Sequence, residues 1–170
     1  MALSGCRKTS TKDSKKPLRI VAKGEFSSHN VSMREDVRNV LESTPLVHMV
    51  TIDPDGRPQI SLVWVGVEGD EVVVGSQAKR RKIHNLLRDD RVALSMLTGG
   101  VDERGLEEYL VIHGRASVSE GGAPEVLQRL AHKYVGPDAV FPPGNPPPDG
   151  WVTRVAIERC TGIGPWLSSS

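Results

Sequence analysis

Apolar residues recur with a helical period at one end of the chain and with a period near two through most of the rest. Met33, Val37, Val40 and Leu41 fall on one helical face, Ser32-Met33-Arg34-Glu35 reads as a capping box, and Thr44-Pro45 stops the helix. Leu46 to Ile52 then reads as a strand, and Asp53-Pro54-Asp55-Gly56 as a tight turn, with Pro at its second position and Gly supplying positive φ. Pro58 to Val67 is a second strand, Glu68-Gly69-Asp70 a turn, and Glu71 to Ser76 a third strand. The short connections make these antiparallel hairpins in a meander.

A helix is expected from about Ala78 to Arg88, with Ile83, Leu86 and Leu87 on its apolar side. Arg91 to Thr98 is a strand, Gly99 to Gly105 a polar loop, and Glu108 to Val118 another strand. Gly121-Gly122-Ala123-Pro124 starts a helix that runs to about Tyr134, with Pro near its first position. Residues 136–150 contain Phe141-Pro142-Pro143-Gly144-Asn145-Pro146-Pro147-Pro148, which suits neither helix nor central strand and is expected as an ordered loop or a lid. Trp151 to Glu158 is the last strand, and Gly162 to Trp166 an aromatic-tipped tail. Six short antiparallel strands with interspersed helices predict a mainly β protein, a closed or split barrel of Greek-key type, which removes exposed sheet edges.

Composition divides the chain. Residues 1–30 carry seven Lys and Arg against two Asp and Glu, a net +5, with no apolar period, and are expected to be a disordered basic tail. Residues 31–170 carry 15 against 19, a net −4, and are expected to form a single domain. Two cysteines, Cys6 and Cys160, make no disulfide framework and fit a reducing cytoplasm. Leu3-Ser4-Gly5-Cys6 resembles a lipoprotein cleavage box but lacks the charged and apolar segments that precede one. No apolar run reaches 18 residues, so no membrane helix is expected.

Against that acidic body, Lys79-Arg80-Arg81-Lys82 stands out. Cations at a helix start oppose the helix dipole at roughly 0.3–1 kcal/mol each. An anion there, above all a phosphate, would reverse that cost. A solvated basic surface is the alternative. The positive charge is local, which suits a small anionic ligand better than a nucleic acid, whose partners spread charge over a face. Elsewhere the sequence offers little chemistry. His48, His84, His113 and His132 have no metal-ligand spacing, so no metal is expected. His113 reads as an interior histidine, His84 as a phosphate helper or a solvated residue, and Cys160 as a structural thiol. Gly75 is explained by a strand-to-helix bend. No Ser-His-Asp order, P-loop or GxGxxG is present, and no catalytic side chain can be named.

The order of these elements, with Asp55-Gly56-Arg57-Pro58-Gln59-Ile60-Ser61 and the run Lys79 to Asn85 followed by Leu86-Leu87-Arg88-Asp89-Asp90-Arg91, resembles the pyridoxamine 5′-phosphate oxidase-like family over roughly residues 33–166. Within it, the chain looks most like the actinobacterial branch that uses the deazaflavin coenzyme F420 in place of FMN. The resemblance implies the FMN-binding split β-barrel and a cytoplasmic homodimer with its cofactor at the interface. It implies that Gln59, Ser61, Val63 and Trp64 flank the ring, and that Ser76, Lys79, Arg80 and Lys82 hold the ribityl phosphate. Arg154 and Trp166 are candidates to reach the partner's site. It also implies an oxidoreductase that passes hydride between the coenzyme and a small conjugated substrate. FMN bears one phosphate and F420 several further negative charges, so four adjacent cations favour F420, with FMN the alternative. A non-catalytic carrier of either coenzyme, or of haem or another flat anion, has the same fold-level support.

Overall fold

The computed structural model describes residues 32–43 and 45–167; the expected basic tail, residues 1–30, lies outside the described residues. The elements are α1 (Glu35–Glu42), β1 (Val47–Ile52), β2 (Pro58–Val63), β3 (Gly66–Glu68), β4 (Glu71–Ser76), α2 (Arg81–Arg88), β5 (Arg91–Val101), β6 (Glu107–Glu120), α3 (Ala123–Tyr134) and β7 (Trp151–Ile163). The seven strands pair antiparallel in one sheet of order β2-β1-β5-β6-β7-β4-β3. The architecture is mainly β with three short helices, the split barrel that the sequence predicts.

The sheet has seven strands rather than six, because the expected second strand breaks at Trp64-Val65 into β2 and β3. The meander therefore ends at β2. The β3–β4 hairpin crosses to the far edge, where β4 pairs with β7. One face of the sheet curls around a single core: Met49 from β1, Leu94 and Met96 from β5, Leu110 and Ile112 from β6, and Val72 and Val74 from β4. Val37 and Leu41 of α1, with Ile83 and Leu86 of α2, close it. Each fully buried Leu or Ile contributes roughly 1.5–3 kcal/mol. A second, smaller cluster forms on the other face of β4 and β7, where α3 lays Val126, Leu127 and Leu130 against Val73 and Val152.

Three boundaries differ from expectation for local reasons. The capping box is not made: the N-cap of α1 is Arg34, with no side-chain cap, and Asp36 instead accepts from the Val37 N–H at 2.8 Å. The loop between β5 and β6 is shorter than expected, residues 102–106, because the hairpin extends on both sides. β7 runs five residues past Glu158. Glu158 is an extra residue opposite β6, since His113 pairs with Arg159 and Gly114 with Ile157. That bulge requires glycine at 114, where a Cβ would sit 2.2 Å from the Ala156 carbonyl oxygen. Among the described residues, no helix is long and apolar enough to cross a membrane.

Candidate functional site

The elbow between β4 and α2 is fixed by what packs behind it. A Cβ at Gly75 would lie 2.7 Å from Cγ of Leu127, so α3 rests directly on the end of β4. Gly75 is thus a contact point between layers and more than a bend. The Pro-rich segment is held to α3 at its two ends. Gln128 of α3 donates to the Ala139 carbonyl at 2.6 Å and accepts from the Phe141 N–H at 3.0 Å, and the Ala123 N–H donates to the Asp149 carbonyl.

The helix begins at Arg81 rather than Ala78, with Arg80 extended at the N-cap. Of the four expected first-turn cations, Lys79 and Arg80 therefore precede the helix. Lys79 sets its ammonium 4.9 Å from the Trp151 ring centroid, a cation–π contact. Arg81 is neutralised: its Nε and Nη2 donate to the Asp53 carboxylate at 2.8 and 2.6 Å. Lys79, Arg80 and Lys82 form no ion pair among the described residues. Lys82 is half-buried; desolvation, then the Arg80 charge, hold its ammonium below the usual 10.5. Ser76 is 5% exposed, and its hydroxyl has no partner among the described residues; the same is true of the Thr153 hydroxyl. Both lie on the core face of the β4–β7 pair, Ser76 opposite Trp151 and Thr153 opposite Val74.

Gln59, Ser61 and Val63 share the inner face of β2, opposite Thr51, Met49 and Val47. Val63 is core. Gln59 and Ser61 are half-buried and tied to α2 by a hydrogen-bond chain. Asn85 Nδ2 donates to Asp53 Oδ1 at 2.9 Å and to Thr51 Oγ1 at 3.0 Å. Thr51 donates to Gln59 Oε1 at 3.0 Å, and Gln59 Nε2 donates to Ser61 Oγ and to the Ile60 carbonyl, both at 2.8 Å. Two sequence candidates, Gln59 and Ser61, are thereby joined to the helix that carries Arg81 and Lys82.

The other candidates stand apart. Trp64 turns to the α3 side, where its ring stacks on Tyr134 with centroids 5.4 Å apart and meets Phe141 edge-on at 5.6 Å. Arg154 lies opposite Val73, on the α3 face, and pairs with Glu68 at 2.7 Å; Arg129 closes on the same carboxylate. Trp166 does not tip a projecting tail. It is 5% exposed, folded back on the main core beside Met33, Val37 and Cys160, because burying an indole outweighs leaving it in water. Burial likewise pushes the Cys160 thiol up, away from reactivity. Of the histidines, His84 is exposed on α2 and His113 is half-buried, 3.5 Å from the Thr161 hydroxyl. Among the described residues, no group of His, Cys, Asp or Glu is arranged to hold a metal ion.

Asp53, Thr51, Asn85 and Thr153 were not singled out from the sequence. Asn85 carried a signal: it falls between Ile83 and Leu86 on the buried side of α2, where a polar group must be paired. Asp53 read only as a turn residue.

The family profile described as pyridoxamine 5′-phosphate oxidase matches residues 33–164. Among solved structures, an F420 reductase is 24% identical, with a TM-score of 0.62, covering 76% of this chain and 98% of its own. The conserved hypothetical protein Rv2991 from Mycobacterium tuberculosis is 22% identical, TM-score 0.58, covering 81% and 88%. HupZ of Group A Streptococcus is 16% identical, TM-score 0.56, covering 81% and 99%. At these identities the likeness concerns the fold. No curated protein sequence matches the chain.

Proposed function

Because the chain belongs to the pyridoxamine 5′-phosphate oxidase family, whose split barrel binds flavin-type cofactors, we propose that it is an oxidoreductase using a phosphorylated, ring-bearing coenzyme, with F420 the preferred one. The observation that carries this reading is the elbow after β4. Three cations there have no carboxylate among the described residues, and one of them, Lys82, is held half-buried against its own desolvation cost. A phosphate would offset that cost and give the orphaned Ser76 hydroxyl an acceptor. The residues present therefore fit the anionic arm of such a group.

In this reading Lys79, Arg80, Lys82 and Ser76 bind the phosphorylated arm, while Gln59, Ser61 and the backbone of β2 border the ring. The bound coenzyme supplies the hydride chemistry toward a small conjugated acceptor. The chain's own part is to orient and to exclude water. Arg81, spent on Asp53, leaves three cations for the coenzyme rather than four. That narrows the margin by which charge favours F420 and keeps FMN as the alternative. Fluorescence titration of the purified protein with each coenzyme decides between them: F420 is expected to bind tighter, and tighter FMN would overturn the choice. Uptake without turnover over a broad acceptor panel would make the protein a carrier.

The same reading includes a homodimer. Ile60, Leu62 and Leu97 are 61%, 61% and 64% exposed on the outer face of β2 and β5, with Tyr109 of β6 opposite Leu97. β1 lies between β2 and β5 and puts Val50 and His48 on the same face, so the apolar residues are interrupted by His48 and Ser95, yet this many exposed large apolar side chains on one sheet face favour a partner. A second copy of this chain seated on that face would lie against β2, the strand proposed to border the ring. A Leu62→Asp variant running as a monomer on gel filtration, beside a dimeric parent, supports this; a monomeric parent removes it.

A further inference from the structure

The polarity of the hydrogen-bond chain from Asp53 to Ser61 is fixed by an acceptor-only group at each end, the Asp53 carboxylate and the Ile60 carbonyl. The Asp53 carboxylate is 5% exposed and accepts twice from Arg81; hydrogen bonds from Asn85 and Arg81 hold it ionised. An ionised carboxylate can only accept. Asn85 must therefore turn its NH2 toward Asp53, and the second hydrogen of that NH2 goes to Thr51 Oγ1. Arg88 Nη1, 3.5 Å from Asn85 Oδ1, favours the same orientation. At the other end the Ile60 carbonyl can only accept, so Gln59 presents its NH2 to that carbonyl and its Oε1 to Thr51, which gives Oε1 its proton. Gln59 then turns its NH2 away, and both hydrogens are spent, on Ser61 Oγ and the Ile60 carbonyl. Ser61 ends the chain as an acceptor, and its own proton has no acceptor among the described residues.

We propose that Ser61 is the hydrogen-bond donor from β2 to an acceptor atom of the coenzyme ring, and that Asn85 is a positioning residue, acting through Thr51 and Gln59, that leaves this proton unspent. The ring half of this inference rests on the function proposed above. Gln59, by the same count, has no side-chain proton to offer the ring. The helix that binds the phosphorylated arm and the strand that borders the ring are thus one hydrogen-bonded unit.

Two measurements test it. In the coenzyme-free protein, NMR should show the Thr51 hydroxyl proton protected from solvent exchange and close to the Gln59 amide, with the Ser61 proton in fast exchange. A protected Ser61 proton and a free Thr51 proton would overturn the polarity. In titrations with F420 and with FMN, Ser61→Ala is expected to raise Kd about three- to tenfold and displace the absorption band of the bound coenzyme. Asn85→Ala, and Thr51→Val if the former does not fold, should produce the same band displacement although neither residue touches the ring. Thr51→Ser should restore the parent values. Parent-like Kd and band in Ser61→Ala would remove the donor, and parent-like values in both Asn85→Ala and Thr51→Val would remove the positioning role. A parent protein that binds neither coenzyme would overturn the proposed function and the ring contact, while the NMR result would still decide the polarity.

Discussion

Arg81 and Asp53 form a two-point ion pair that joins the first turn of α2 to the end of β1, and this separates Arg81 in role from the three cations beside it. The pair predicts opposite phenotypes for neighbouring residues. Replacing both Arg80 and Lys82 by Ala should raise the coenzyme Kd about tenfold or more, with the melting temperature held, since charged hydrogen bonds to ligand are lost, Arg80 is exposed, and the half-buried Lys82 ammonium has no ion-pair partner among the described residues and carries a desolvation cost. Arg81→Ala should instead lower the melting temperature, because it strands a buried carboxylate. Calorimetry beside fluorescence titration checks both; an unchanged Kd in the double variant would take the elbow out of the site.

Lys82 gives a pH dependence at the alkaline end. Its folded pKa lies below 10.5, so the folded protein sheds this proton before the unfolded chain does. Between the two values the unfolded state binds more protons, and stability rises with pH. Anion binding needs the charged form, so coenzyme affinity should fall as pH climbs through the same range. The Lys82→Ala variant should lose that slope in Kd, measured from neutral pH upward.

Asp89 sets a dependence at the acid end. The Arg91 hydrogen bonds hold its carboxyl down to about 2, against an ordinary 3.8. Its contribution to stability is present above 3.8 and is lost as pH falls toward about 2. An Asp89→Asn variant should show a flatter acid limb in its stability curve across that window, with little change at neutral pH beyond the lost contribution itself.

Gly75 should tolerate no side chain. Gly75→Ala forces a Cβ into Leu127, at about 1–3 kcal/mol by the usual cost of overpacking. Combining it with Leu127→Ala should cost less than the two single losses added together, because the smaller partner vacates the space. Denaturant unfolding of the four proteins checks this cycle.

Trp64 is expected to act through packing. Trp64→Ala removes the stack on Tyr134 and the edge contact to Phe141, and should destabilise by about 2–3 kcal/mol. Its local sign is faster hydrogen exchange at the Phe141 amide, which Gln128 now holds. Trp64→Phe should retain most of the stability.

Fold class was legible because alternation and turn chemistry are local: the Asp53–Gly56 turn, the Pro124 helix start and the buried runs at Val72–Val74 and Leu110–Ile112 need no tertiary information. Where the chain crosses between sheet edges is not local. Trp64 and Val65 are as apolar as a strand interior, and only α3, seventy residues on, draws Trp64 out of line. The site was half legible. A run of four cations is visible in any reading, but which of them is already spent depends on Asp53, 28 residues away. The Asn85–Thr51 link spans 34 residues and leaves no periodic trace, whereas Thr51 and Gln59 face each other across the β1–β2 hairpin. Trp166 misled because aromatic residues near a chain end look exposed until the groove that receives them is known.

The supernumerary Glu158 acts as a parity switch for the last strand. Before it, odd-numbered residues such as Thr153 and Val155 point into the barrel; after it, Cys160 does, and Arg159 is delivered to solvent. Were Glu158 paired in plain alternation instead of bulged, every residue after it would change face, turning the Arg159 guanidinium inward and the Cys160 thiol outward. The identity of the protein's interior along this edge is therefore written in the count of residues as much as in their kinds.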